Sequence, residues 1–265
     1  MTIDKNMSNE DYHAHPSISS TDVKMVAKTS LAHWKHKQFK ESPALHMGSA
    51  VHALCLERHL NLVVKGPESR RGKAWTEAKA AADFAGQIIL PEGEFEIANA
   101  IADSVLATDV GKRMAGESTI NEMSVFVTDP DIGLPLKTRP DSYWPQNGGV
   151  IYDIKTCLDA SPRGFASAVG KFGYAVQQAF YQHVLRLEGL QANNMVFVAV
   201  EKEPPYAVGV HVLSTDYIEW AEKQMLASLE KIKRAQDEDT FDTGWPSVNV
   251  IELPRYLEDT PEDED

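Results

Sequence analysis

Residues 134–155, LPLKTRPDSYWPQNGGVIYDIK, decide the reading of this chain. The runs 134–144 and 149–155 alternate like strands, and Pro145 to Gly149 between them reads as a turn. On a strand, side chains two apart share a face, so Asp153 and Lys155 point the same way. A hairpin centred on Asn147 sets Asp141 directly opposite Asp153. Like charges facing each other across a ladder are unfavourable, and such a pair persists best with something positive between them. Two carboxylates, water and the Ile154 carbonyl make an oxygen-rich site suited to Mg²⁺. Lys155 beside it could orient or deprotonate a water. The same short pattern also fits an exposed hairpin with ordinary surface charges.

Working outward, residues 123–128 read as a further strand and Asp129 to Gly133 as its turn. A helix is expected from about Lys171 to Glu188. Residues 195–200 form a continuous apolar strand, 207–213 its partner, and a last helix covers about 215–237. Upstream, the opening stretch reads as two short helices. Ser19 through Asp22 resembles a capping box, and Ser30 could cap a helix to about Gln38. Residues 45–57 read as a buried helix in which Gly48, Ser49 and Ala50 allow close approach. Glu68 to Lys79 is basic and then helical, and 92–107 is amphipathic. There is no internal repeat. The pattern is α/β with a mixed sheet, plus a helical N-terminal part covering one side.

The chain has 265 residues, 43% hydrophobic and 25% charged, which excludes wholesale disorder. No apolar run is long enough to span a membrane, and the polar, acidic N-terminus lacks a signal-peptide layout, so a cytoplasmic protein is expected. Only Cys55 and Cys157 are present, which excludes a thiolate zinc site. The net charge of −13 argues weakly against nucleic acid. However, the stretch from Glu258 to Asp265 carries six acids and no base and is expected to be disordered, which leaves −7 on the rest. Net charge does not fix the sign inside a cleft.

Arg139-Pro140-Asp141 followed by Asp153-Ile154-Lys155 resembles the signature of the PD-(D/E)xK nuclease superfamily. His52 within GSAVHALCLE (48–57) and the QxxxY run Gln177 to Tyr181 make the chain similar to the RecE-type recombination exonucleases. The similarity runs from DYHAHPSIS (11–19) to WPSVNVIELPRY (245–256), nearly the whole length. It implies a restriction-endonuclease-like core with a central mixed β-sheet flanked by helices. One nuclease domain over 1–257 would comprise a helical part (1–90) and a catalytic core with closing segment (91–257).

The resemblance also implies His52, Asp141, Asp153 and the Ile154 carbonyl as metal ligands, Lys155 as the catalytic lysine, and Gln177 and Tyr181 as DNA contacts. The implied activity is 5′→3′ digestion of linear double-stranded DNA with Mg²⁺ (Mn²⁺ substituting), in a bacterial host, by a homo-oligomeric ring. The resulting 3′ tails would serve recombination through a RecT-type single-strand annealing protein. An endonuclease on the same core and a non-catalytic DNA-binding subunit are the alternatives. Arg70, Arg71 and Lys73, with Lys137 and Arg139, could line a DNA channel; solvated surface is the alternative for the first three. His52 could equally be a core histidine, and Gln177 and Tyr181 a partly buried helix face. Phe172, Tyr174 and Phe180 read as core.

Overall fold

The computed structural model describes residues 2–5, 7–38 and 42–254. The acidic run from Glu258 lies outside them. In chain order the elements are β1 (Thr2–Asp4), α1 (Asn9–Ala14), α2 (Ser20–Lys28), α3 (Leu31–Lys35), α4 (Pro43–Leu56), β2 (Val63–Lys65), α5 (Lys73–Phe84), β3 (Ile88–Leu90), α6 (Glu92–Ala107) and α7 (Asp109–Met114). There follow β4 (Ile120–Asn121), β5 (Ser124–Thr128), β6 (Pro135–Thr138), β7 (Ser142–Trp144), β8 (Val150–Cys157), α8 (Pro162–Phe172), α9 (Tyr174–Leu187), β9 (Asn194–Glu201), β10 (Val208–His211) and α10 (Thr215–Glu238). None of these helices is long and apolar enough to cross a membrane.

The central sheet has the order β10-β9-β8-β7-β4 and is mixed, with β8 and β9 parallel and the other neighbours antiparallel. The inner strands β8 and β9 are almost uniformly apolar because both faces are covered. Ile151, Phe197 and Ala199 pack with Phe165 of α8, Phe180 of α9 and Leu229 of α10. On the other face, Tyr152, Ile154, Val198 and Val200 pack with Val51 and Leu54 of α4 and Ile101 of α6. The result is the expected α/β core, a mixed sheet flanked by helices.

Three expectations are corrected. Residues 134–144 are two strands in two sheets: β6 pairs with β5, and β7 pairs with β8. Pro140 has no N–H to give a ladder, and the chain changes sheet at Arg139-Pro140-Asp141. Residues 171–188 are not one helix, because Gly173 adopts φ 69°, ending α8 and starting α9. Ser161 and Pro162 begin α8, a capping serine followed by a first-turn proline. Finally, the N-terminal part is neither wholly helical nor confined to one side. It contributes β1, β2 and β3; α2 packs on α9 and α10, while α4 packs on β8 and α6 from the opposite face.

The capping box at α2 is present: the Asp22 carboxylate accepts from Ser19 N at 2.8 Å and Ser19 Oγ at 2.6 Å. The helix capped by Ser30 stops at Lys35.

Candidate active site

The site arises where β7 begins. The hairpin register is Ser142↔Tyr152, Tyr143↔Ile151 and Trp144↔Val150, the register expected from a turn centred on Asn147. Asn147, Gly148 and Gly149 make that turn at φ 53°, 80° and 76°. A Cβ on Gly149 would collide with the Gln191 carbonyl, so the turn needs glycine there. Past Tyr152, β8 keeps β9 on one side, through Cys157↔Glu201, but loses β7 on the other. Ile154 therefore presents a buried N–H and C=O with no strand beside them, and such groups must find other partners. Asp141 Oδ2 accepts from Ile154 N at 2.6 Å, and His52 Nε2 lies 3.0 Å from Ile154 O. The strand edge thus draws Asp141 and His52 together, with His52 Nδ1 3.5 Å from Asp141 Oδ2.

Asp153 and Lys155 project from β8 toward α9. Asp153 is 1% exposed; its Oδ1 accepts from Gln177 Nε2 at 2.7 Å, and Lys155 Nζ sits 2.5 Å from its Oδ2. Gln177 Oε1 in turn accepts from Lys24 Nζ of α2 at 3.2 Å. Lys155 Nζ also lies 5.0 Å from the Tyr174 ring centroid. The outcome is a polarised site: ammonium groups on the α2–α9 side, carboxylates and an imidazole on the α4 side, and Asp153 between them.

The charges follow this layout. Burial raises the Asp141 carboxyl above the usual range, and Asp153 adds to this while His52 opposes it. Burial opposes the charge of Lys155, yet Asp153 and Asp141 outweigh it and hold the ammonium above the ordinary lysine value. Beside these carboxylates the Lys155 ammonium is suited to neutralising phosphate charge. Burial, and then Lys155, push Lys24 down to about 8. Burial raises Tyr181 well above the ordinary tyrosine value, with Asp153 adding to it.

The residues fit a divalent ion. Adjacent ligands on an octahedral ion with bonds of about 2.1 Å stand about 3.0 Å apart. The His52 Nε2 to Ile154 O spacing is 3.0 Å. Both oxygens of Asp153 are engaged by Gln177 and Lys155, so a cation at Asp153 would displace the ammonium.

The basic residues expected at DNA fare unevenly. Lys137 is 5% exposed and donates to the carbonyls of Tyr12 (2.6 Å), His13 (3.3 Å) and His15 (2.6 Å). Arg139 is 8% exposed; it donates to Ser124 Oγ through Nε (2.8 Å) and Nη2 (2.6 Å), and to the carbonyls of Met7 and Ser8. Both stack over the Tyr12 ring. They clasp the N-terminal segment to the β5–β6 sheet, buried and away from the surface where a DNA contact was expected. Gln177, 4% exposed, has its amide engaged by Asp153 and Lys24, a geometry suited to positioning Asp153. Tyr181 is half-buried one turn further along α9. Arg70 forks onto Glu94, Lys73 lies 3.6 Å from Glu77, and Arg71 is exposed. Phe180 is fully buried, as expected of core, but Phe172 is 50% exposed.

Two participants were not read from the sequence. Lys24 lies mid-way along α2, where its helical position alone gives a face and nothing more. Glu122 sits just before β5, and an oxygen of its carboxylate, one of Asp141 and a ring nitrogen of His52 all lie within 4.8 Å of one another. Burial, and then Asp141, push the Glu122 carboxyl up to about 8.

Comparison with known proteins points the same way. The family model described as "PDDEXK-like domain of unknown function (DUF3799)" matches residues 17–244. A crystal structure from Eubacterium rectale named "Putative exonuclease" shares 17% identity and superposes with a TM-score of 0.63, covering 96% of this chain and 97% of that one. At that identity the likeness speaks for the fold. A structure named SSO0001 shares 16% identity over 68% of this chain and 86% of its own, with a TM-score of 0.28. No curated protein matches the chain.

Proposed function

The chain belongs to the PDDEXK-like family, and from that premise we propose that this nuclease is a Mg²⁺-dependent 5′→3′ exodeoxyribonuclease acting on linear double-stranded DNA. The observation that carries the reading is the gathering of His52, Asp141, Asp153 and Lys155 around the open edge of β8 at Ile154. Phosphodiester hydrolysis needs neutralisation of developing negative charge more than it needs a protein nucleophile. A bound divalent ion supplies Lewis acidity toward the phosphate and lowers the pKa of a water. His52, Asp141, Asp153 and the Ile154 carbonyl would hold it.

The chain's own groups have distinct tasks. Lys155, held cationic by Asp153 and Asp141, places fixed positive charge beside the scissile phosphate. Gln177 fixes the Asp153 carboxylate, and Lys24 fixes the Gln177 amide, so both act by positioning. Tyr181 supports the same helix face. Mn²⁺ is expected to replace Mg²⁺.

The further parts of the proposal rest on the RecE-type resemblance of the sequence. The enzyme would work as a homo-oligomeric ring enclosing DNA, start at duplex ends, and leave 3′ tails for a RecT-type annealing protein in homologous recombination within the cytoplasm of a bacterial or phage-infected cell. Digestion of linear duplex labelled at the 5′ or 3′ end, beside closed circular duplex, tests polarity and end requirement. Early release of the 5′ label with intact circles supports the proposal; cleavage of circles moves the activity to an endonuclease. Light scattering tests the ring, which a clean monomer contradicts.

A further inference from the structure

The carboxylate of Glu122 has no part in the sequence pattern, yet it lies at the acidic end of the site. Resting on the nuclease reading above, we infer that Glu122 is a ligand of the divalent cation, acting with His52 and Asp141.

Three observations support it. The first is spacing. One oxygen each from Glu122 and Asp141 and one ring nitrogen of His52 fall within 4.8 Å of each other. Opposite ligands on a single ion with bonds of 2.1–2.4 Å stand about 4.2–4.8 Å apart. One ion can therefore touch all three with only small side-chain adjustment.

The second is how Glu122 is held. Its backbone N–H donates to the Asp141 carbonyl at 3.1 Å, so the two acidic residues are tied together through the main chain. Glu122 adopts φ 49°, a left-handed conformation that few non-glycine residues take. It stands in the two-residue step between β4 and β5, outside both strands.

The third is what remains unengaged. Asp153 already has Gln177 and Lys155 on its two oxygens, and Asp141 gives one oxygen to Ile154 N. No described residue hydrogen-bonds the Glu122 carboxylate. Arg139, a nearby cation that partly offsets the Glu122 charge, has its Nε and Nη2 donors on Ser124 and on the carbonyls of Met7 and Ser8 and makes no hydrogen bond to the Glu122 carboxylate. Two carboxylates this close, with an imidazole beside them and no committed cation, form an arrangement that a divalent ion completes. It also extends the ligand set beyond the motif: Glu122 stands 19 positions before Asp141 and on a different strand approach.

The test is Mn²⁺ binding to the full-length protein without DNA, followed by electron paramagnetic resonance of free Mn²⁺. Glu122→Gln keeps the shape and removes the charge. It is expected to weaken Mn²⁺ at least about tenfold at unchanged melting temperature, the scale seen when metal-site groups are removed. Glu122→Asp should retain more of the affinity than Glu122→Gln, and Glu117→Gln, on the exposed surface nearby, should bind as wild type. Wild-type Mn²⁺ affinity in Glu122→Gln overturns the inference. Mg²⁺-dependent digestion, run in parallel on wild type, then shows whether the nuclease reading still stands. A wild type that neither binds Mn²⁺ nor digests DNA overturns both.

Discussion

Lys137 and Arg139, and Asp153 and Lys155, are two pairs of charged residues at the same two-residue spacing, 16 positions apart in one stretch of chain. In sequence they look alike, and both pairs were candidates for the working surface. The structure sends them to opposite purposes. The first pair is buried, and its donors end on fixed neutral acceptors: backbone carbonyls of Met7, Ser8, Tyr12, His13 and His15 and the Ser124 hydroxyl. The second pair meets chiefly itself, together with Gln177 and the Tyr174 ring. A buried charge whose donors end on fixed neutral groups is a clasp. A buried charge balanced by one opposite charge beside two further acids can exchange partners with an ion or a phosphate.

The largest break in this comparison should come from the second pair. Lys155→Ala and Asp153→Asn are each expected to lower hydrolysis of linear duplex by at least about 10²–10³. Asparagine is the better probe at Asp153, because it removes the charge while keeping the shape and an acceptor oxygen for Gln177. Near wild-type digestion by either variant, in protein that remains folded by circular dichroism, would place both pairs in the structural class.

The clasp should behave in the opposite sense. Arg139→Met removes charge-assisted hydrogen bonds that tie Met7, Ser8 and Ser124 together, and is expected to cost about 2–3 kcal/mol in urea unfolding. DNA affinity and its salt dependence, measured with Ca²⁺ replacing Mg²⁺, should be unchanged in the folded variant. A weakened affinity at unchanged stability would return Arg139 to the DNA surface.

These two outcomes mark what was legible in the sequence. The hairpin register, the face shared by Asp153 and Lys155, and the helix carrying His52 depend on local spacing, and spacing is visible in a string of letters. The destination of Arg139 was not, since two of its acceptors, the carbonyls of Met7 and Ser8, lie more than 130 positions away and are main-chain groups, which every residue has. Glu122 was hidden for a similar reason: only the left-handed turn before β5 and the Asp141 carbonyl bring it to the site. Gln177 was found, but the sequence does not show what it touches: a helix position facing a strand can touch substrate or hold a neighbour, and the 2.7 Å contact with Asp153 adds the holding role. The break at Pro140 could have been read, as proline inside a paired strand is itself a warning.

A smaller effect sharpens the contrast from outside both pairs. Asp129, 1% exposed, accepts from His183 Nε2 at 2.7 Å and from the backbone N–H groups of Asp131 and Ile132. Burial opposes its charge, but these donors prevail and hold the carboxyl below the usual range. A depressed folded value means the stabilisation is present above the unfolded carboxylate value and disappears as pH falls through the folded one. Asp129→Asn should therefore cost about 1–2 kcal/mol near neutral pH and progressively less on acidification, with digestion by the folded protein unaffected. A constant cost across pH would deny the charge any part.

The smallest effect belongs to the exposed bases. Arg70 and Lys73 already pair with Glu94 and Glu77, so Arg71→Ala should exceed Arg70→Ala in weakening DNA binding, each by a few-fold at most. Filter binding across a salt series reads this directly.

The most direct measurement is digestion of end-labelled linear duplex by wild type and Lys155→Ala, each with Mg²⁺ and with EDTA. The account predicts release of label by the wild type with Mg²⁺ alone, and none above background in the other three reactions. Label released in EDTA, or by Lys155→Ala at the wild-type rate, would contradict a metal-dependent nuclease built on Asp141, Asp153 and Lys155.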